Sequence, residues 1–201
     1  RLQGDWSSDV CSSDLIDKVE IGKALSTWKF PLVFLDFETI NPAIPRYDKT
    51  GPYQQVPFQF SAHIWLSPGS ELIHKEYLHV SSSDPRPQLI PLLLEACRGE
   101  GSIVAYYSAF ETQRISEMAE HSQDHKKELE ALLNRFVDPL PIFRDFVYDN
   151  GFLGSFSLKT VAPTILGEKH SYEGMLVADG SSAQRAYEEI INPETDHSRR
   201  E

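Results

Sequence analysis

Two acidic side chains close an apolar run in PLVFLDFET, residues 31–39: Asp36 and Glu38. In an extended chain, positions i and i+2 project from one face. The two carboxylates therefore stand side by side while Phe37 turns into the packing. Like charges at that separation repel, and partial burial raises the cost of each. A basic partner, a divalent cation or simple exposure at the strand end would each offset this, and Asp-x-Glu alone does not choose among them. A third carboxylate stands in IVAYYSAFET, residues 103–112. This reads as a strand, a Tyr-Ser-Ala turn, and a helix opening with Phe110 and Glu111. The helix dipole favours an acid in a first turn and is a sufficient reason for Glu111. The same placement also allows Glu111 to face the Asp36/Glu38 pair across neighbouring strands. Three carboxylates from two elements would suit two magnesium or manganese ions, the arrangement used to hydrolyse phosphodiesters.

The elements that must position these groups follow from the hydrophobic pattern. Residues 32–37 predict a strand. NPAIPRYDKTGPY, 41–53, is a loop by its prolines and Gly-Pro pair. VPFQFSAHIWL, 56–66, alternates Phe58, Phe60, Ala62 and Ile64 against polar residues, and LIHKEYLHV, 72–80, alternates likewise. With SPGS between them they form a hairpin. Caps and a first-turn proline open a helix that runs to about Cys97. The spacing predicts a strand over 101–107 and a helix over AFETQRISEMAEH. It predicts further helices over 124–136, over DPLPIFRDFVYD with Asp138 as its cap, over 155–166 behind serine caps, and over 180–192. A short lead-in helix is expected within 16–29. The order β-β-β-α-β-α-α-α-α predicts an α/β fold with a mixed sheet flanked by helices, as in the ribonuclease-H-like architecture.

Composition narrows the function classes. The chain has 201 residues, enough for one ordinary domain. No apolar run reaches the length of a membrane span. The formal net charge of −11 argues against a broad basic face that grips duplex DNA. It leaves room for a small phosphate site whose positive charge comes from bound ions. Two isolated cysteines, Cys11 and Cys97, make neither a disulfide framework nor a zinc site, and a reducing, cytoplasmic setting is the default. RLQGDWSSDVCSSDL, residues 1–15, has no hydrophobic period, repeats Ser-Ser-Asp, and lacks the basic start and apolar middle of a secretory signal. It resembles the translated read-through of a sequencing adapter of the kind found in metagenomic protein sets, so a single domain is expected over 16–201. Without Asp5, Asp9, Asp14 and Arg1 the net charge moves from −11 to −9.

FLDFET followed by AYYSAFE resembles the DEDD superfamily of 3′–5′ exonucleases, the proofreading type, with Asp-x-Glu on the first strand and a second acidic motif at a strand-to-helix turn. More narrowly, FLDFETINPAIPRYDKTGPYQQVPFQFSAHI, together with VDPLPIFRDF, GSFSLKTVAP and ADGSSA, resembles a bacterial family filed as domain of unknown function 2779, over about residues 28–195. The resemblance implies that Asp36, Glu38 and Glu111 are catalytic and bind two Mg2+ or Mn2+ ions, Glu111 standing where the superfamily usually has Asp. It places Tyr107 where Asn is common, and SLKTVAP, with Lys159, in a helix beneath the site. The implied partner is a single-stranded DNA or RNA end. The implied parent protein is larger, with further domains and no membrane span. The superfamily also needs a final Asp, preceded by Tyr or His. The family's usual Tyr-Cys-x-x-Asp-Thr stretch would fall beyond Ser-Arg-Arg-Glu, so the domain is expected to be C-terminally truncated and the fragment inactive or weakly active. Asp179 in ADGSSA reads more naturally as a helix cap.

Other candidates carry less. His121 and His125 have a spacing that could bind zinc, but HSQDH lacks the glutamate of that motif. Tyr106, Tyr107 and Phe110 flank Glu111 and could stack bases, although packing explains Phe110. Lys159 could touch a phosphate, although exposed helix lysines are common. Ser155 and Ser157 suit caps, with no nucleophile elbow around them. Beside the exonuclease reading stands a non-catalytic nucleic-acid or protein interaction module on the same fold, and after it a hydrolase of another phosphoester.

Overall fold

The computed structural model describes residues 15–171, 174 and 179–192. In chain order the elements are β1 (Leu15–Ile16), α1 (Lys18–Ser26), β2 (Leu32–Ile40), β3 (Val56–Trp65), β4 (Leu72–Leu78), α2 (Arg86–Ala96), β5 (Ile103–Val104), α3 (Ala109–His121), α4 (Lys126–Leu133), β6 (Phe136–Val137), α5 (Leu140–Phe146), β7 (Val147–Tyr148), α6 (Leu158–Leu166) and α7 (Gly180–Ile191). The chain forms an α/β fold of two compact units. Of the described residues, one contains 28–138 with 174 and 179–192, and the other 15–27 with 139–171.

The larger unit is built on a five-stranded mixed sheet in the order β4-β3-β2-β5-β6. β4, β3 and β2 run antiparallel, while β5 is parallel to β2 and β6 is parallel to β5. Alternation decides which side chains enter the core. Val33, Leu35 and Phe37 of β2 join Phe60, Ala62 and Ile64 of β3 on one sheet face. Leu89, Ile90 and Leu93 of α2, Ile115 and Met118 of α3, and Leu129 and Leu132 of α4 cover that face. The even-numbered residues of β2 look the other way, so Phe34, Asp36 and Glu38 escape the core. A bulge between Glu38 and Thr39 then shifts the phase of the strand, and both Thr39 and Ile40 are buried. Ile40 enters a second cluster with Tyr47, Val56, Phe58 and, from α7, Ala183 and Tyr187. The Tyr187 ring stacks on Phe58 with centroids 4.0 Å apart.

At Gly101, a side-chain carbon would stand 1.9 Å from the Pro31 carbonyl oxygen. Only glycine admits this approach, which brings β5 beside β2. The regular strand, Ile103–Val104, is shorter than the predicted 101–107, and Tyr107, left-handed with φ of 61°, lies in the turn that follows it. The predicted helix over 124–136 stops at Leu133, and Phe136–Val137 instead joins the sheet beside β5.

In the smaller unit, β1 pairs with β7, Leu15 opposite Tyr148 and Ile16 opposite Val147. Leu15, counted with the expected artefact, is thus part of a strand, while residues 1–14 lie outside the described residues. Asp17 caps α1 by accepting from the N–H groups of Val19 and Glu20. Val147, Phe152 and Val161 form this unit's core, with Ile21, Phe143 and Phe156 against it. No helix among the described residues is long and apolar enough to cross a membrane.

Candidate functional site

Asp36 lies opposite Ser61 in the β2–β3 ladder and Glu38 opposite Gln59. Both side chains leave the sheet on the face away from the main core. Asp36 is an exposed residue, yet neighbouring protein crowds its carboxyl. That crowding raises its carboxyl, and the N–H of Phe37 acts in the opposite sense. Glu38 is half-buried and lines a cavity of about 400 Å³ with Gln55, Phe110, Gly180, Ser181 and Gln184. A side-chain carbon at Gly180, the first residue of α7, would stand 3.9 Å from Glu38 Oε2. That is an ordinary contact distance, so the start of α7 lies directly beside the carboxylate. On the same wall, the Thr39 hydroxyl donates to Gln55 Oε1.

Glu111 arrives from the other direction, on the first turn of α3. It is 4% exposed, and its Oε2 is buried without a hydrogen-bond partner. Burial lifts the carboxyl from an ordinary value of 4.5 to about 7. Its own backbone N–H opposes that rise, the charges of Asp36 and then Asp138 reinforce it, and Arg114 opposes it. The charge of Asp36 on β2 acts on Glu111 in the same sense as that of Asp138. Arg114 is directed elsewhere: it binds Glu117 at 2.8 and 3.1 Å and lies 5.0 Å over the Phe110 ring.

The turn that aims Glu111 is held by Asp138. Its two carboxylate oxygens accept from the backbone N–H groups of Tyr107 and Ser108, each at 2.9 Å. This corrects the expectation that Asp138 caps the helix after it. That helix begins behind Pro139, with no side-chain cap, while Asp138 reaches back 30 residues to satisfy the start of α3. The sequence signal was an acid directly after a short apolar pair in the sheet, a position from which a side chain can reach an adjacent strand-to-helix turn.

Tyr107 is 61% exposed at that turn, and Phe110 is partly buried against the core while lining the cavity. Lys159 is exposed on α6 in the smaller unit. Asp179 caps α7, its Oδ1 accepting from Ser182 N at 2.8 Å while Ser182 Oγ accepts from Asp179 N at 3.1 Å. Ser157 occupies the cap position of α6 without a side-chain cap bond. His121 ends α3, and His125 pairs with Glu128 at 2.9 Å ahead of α4. Among the described residues no group of three or more His, Cys, Asp or Glu side chains is gathered closely enough to hold a metal ion. The donor chemistry of Asp36, Glu38 and Glu111 nevertheless suits a hard divalent cation, and the orphaned Glu111 oxygen is the atom such a cation would satisfy. Sequence reasoning missed Gln55, Ser181 and Gln184, which come together only through the loop before β3 and the start of α7.

The fold thus defines an α/β protein with Asp36 and Glu38 on its central strand, Glu111 at a strand-to-helix turn, and an open cavity lined by Glu38. The family described as domain of unknown function DUF2779 matches residues 33–157, well over half of the chain, and the chain belongs to that family. No curated protein and no solved structure matches it.

Proposed function

We propose that this chain is a metal-dependent 3′–5′ exonuclease-like domain that hydrolyses phosphodiesters at nucleic-acid ends, as its resemblance to the DEDD superfamily implies. The observation that carries the reading is the buried, unpartnered Oε2 of Glu111 within the field of Asp36. Of the three acids Glu111 is the buried one, and a buried, unpartnered carboxyl with a raised pKa is the kind of group that concentrates at functional sites. Mg2+ or Mn2+, when bound, would supply charge neutralisation and lower the pKa of an attacking water. Asp36, Glu38 and Glu111 would hold the ions, whose remaining ligands would be water and substrate oxygens. Glu38, Phe110, Gln55 and Gln184 would receive the terminal nucleotide, the ring by stacking and the amides by hydrogen bonds to a base or sugar edge. Tyr107, exposed beside the turn, would contact the strand end.

A second reading, a non-catalytic nucleic-acid or protein interaction module, is favoured by one observation: the three carboxylates are not gathered into a metal-holding group among the described residues. Two measurements separate the readings, metal binding on the 201-residue chain and strand trimming on a chain extended past Glu201. Mn2+ binding should be present in wild type and lost in Asp36→Ala and Glu111→Gln. Mn2+-dependent trimming of end-labelled single strands should fall on the order of 100-fold or more in Asp36→Ala. Equal trimming by wild type and Asp36→Ala removes the enzymatic reading. Absence of Mn2+ binding by wild type moves the assignment to the interaction module.

A further inference from the structure

The sheet ends at β4, whose outer edge pairs with nothing among the described residues. The N–H of His79 donates to the Phe58 carbonyl, which fixes the alternation of the β3–β4 ladder. Odd-numbered residues of β4 direct their backbone groups at β3. Leu72, His74, Glu76 and Leu78 direct theirs outward. The strand carries no proline and no bulge, two of the usual guards of an edge. Its one lysine, Lys75, is drawn toward the helical layer, with Nζ 2.8 Å from Glu95 of α2. Leu72, Ile73 and Leu78 are exposed, and so are His74 and Glu76.

We infer that two copies of this chain pair antiparallel along β4, about a two-fold axis at Lys75, to form one continuous sheet. Only a register that joins outward-facing residues can form the ladder, so the strands can slide only in steps of two. With Lys75 central, Leu72 meets Leu78 and His74 meets Glu76 of the other copy, each twice by symmetry. On the opposite face Ile73 meets Tyr77. Sliding one way sets Glu76 against Glu76. Sliding the other way sets His74 against His74 and Leu72 against Glu76. Lys75 meeting Lys75 is the one unfavourable pair in the central register, and each ammonium is already engaged by its own Glu95. The chemical palindrome Leu-Ile-His-Lys-Glu-Tyr-Leu therefore selects a single self-pairing, as closed two-fold interfaces require.

The test is the mass of the full chain in solution across a concentration series, by sedimentation or light scattering. Wild type should move from monomer to dimer as concentration rises. His74→Glu sets glutamates opposite one another and should remain monomeric. The swap His74→Glu with Glu76→His restores the cross-strand pair and should recover the dimer. Both substituted side chains are exposed, and circular dichroism should report unchanged secondary structure in each variant. A wild type that stays monomeric, a dimer whose mass His74→Glu does not alter, or a double swap that fails to reassociate would each overturn the inference.

Discussion

Two acidic centres in the larger unit differ in how their charges are satisfied. Around Arg86, Asp84 accepts from Nε at 2.9 Å and from the terminal nitrogen at 2.6 Å, and the Asp48 carbonyl accepts a further bond at 3.1 Å. Burial alone would raise the Asp84 carboxyl, but the hydrogen bonds and charge of Arg86 outweigh it and hold the group below its ordinary value. Around Glu111 the neighbours include two more acids, one oxygen has no partner, and the carboxyl rises to about 7. The first centre resolves its burial internally and fastens the loop before β3 to the start of α2. The second leaves its burial unresolved, as expected where the missing partner is a ligand rather than a side chain. Burial of acids is common to both, so the presence of a designed counter-charge is what separates framework from site.

Breaking the satisfied centre should have the larger effect. Arg86→Ala leaves Asp84 partly buried without its cation and should lower stability by about 3 kcal/mol, read by chemical denaturation at neutral pH. Because the Asp84 carboxyl is depressed, its contribution is present above the ordinary carboxylate range and is lost as pH falls through the depressed value. A wild-type acid limb that persists unchanged in Arg86→Ala would show that the pair is not the source.

Glu111 should behave in the opposite sense. Its carboxyl is raised, so the stability associated with its neutral form is complete below about pH 4.5 and is lost as pH climbs through about 7. In metal-free protein Glu111→Gln should therefore stabilise by about 2 kcal/mol at pH 8 and by almost nothing at pH 4. Thermal melts with a chelator present check this. Saturating Mn2+ should raise the wild-type midpoint by a few degrees, corresponding to ~1 kcal/mol, and leave Glu111→Gln unmoved. A variant less stable than wild type at pH 8 would place Glu111 with the framework.

How far this contrast could be read from the sequence depends on the range of the interaction. Asp36 and Glu38 were legible because a period of two fixes which face a strand residue takes. The hairpin and the helices from 86 to 133 were legible for the corresponding reason, local periodicity. That β5 lies parallel beside β2, and so delivers the Glu111 turn toward the end of the strand that bears Asp36, was available as an expectation from strand-turn-helix order. The bulge after Glu38 was not legible, because nothing local marks Thr39 and Ile40 as a phase shift. Asp138 was misread because Asp before Pro is an equally good local cap, and only the pairing of β6 with β5 brings it beside Tyr107. Arg86 and Asp84 are close in sequence, yet their burial depends on the Asp48 carbonyl 38 residues away.

The smallest effects concern the turn that sets the second centre. Asp138→Asn keeps one acceptor oxygen for the N–H groups of Tyr107 and Ser108 and should cost about 1 kcal/mol, the net worth of one hydrogen bond. Tyr107→Gly should change stability by close to zero. Relief of the left-handed backbone contributes about 1 kcal/mol, and the added freedom of glycine in the unfolded chain removes a similar amount. The near-neutral variant is the more informative of the two. With the backbone path and Glu111 unchanged, any loss of single-strand binding in Tyr107→Gly reports the tyrosine ring alone, at about 1–3 kcal/mol for one stacked base. Tyr107→Phe should retain that binding, because a stacking role needs the ring and not the hydroxyl. If both variants bind as wild type does, the strained tyrosine belongs to the turn and not to substrate recognition.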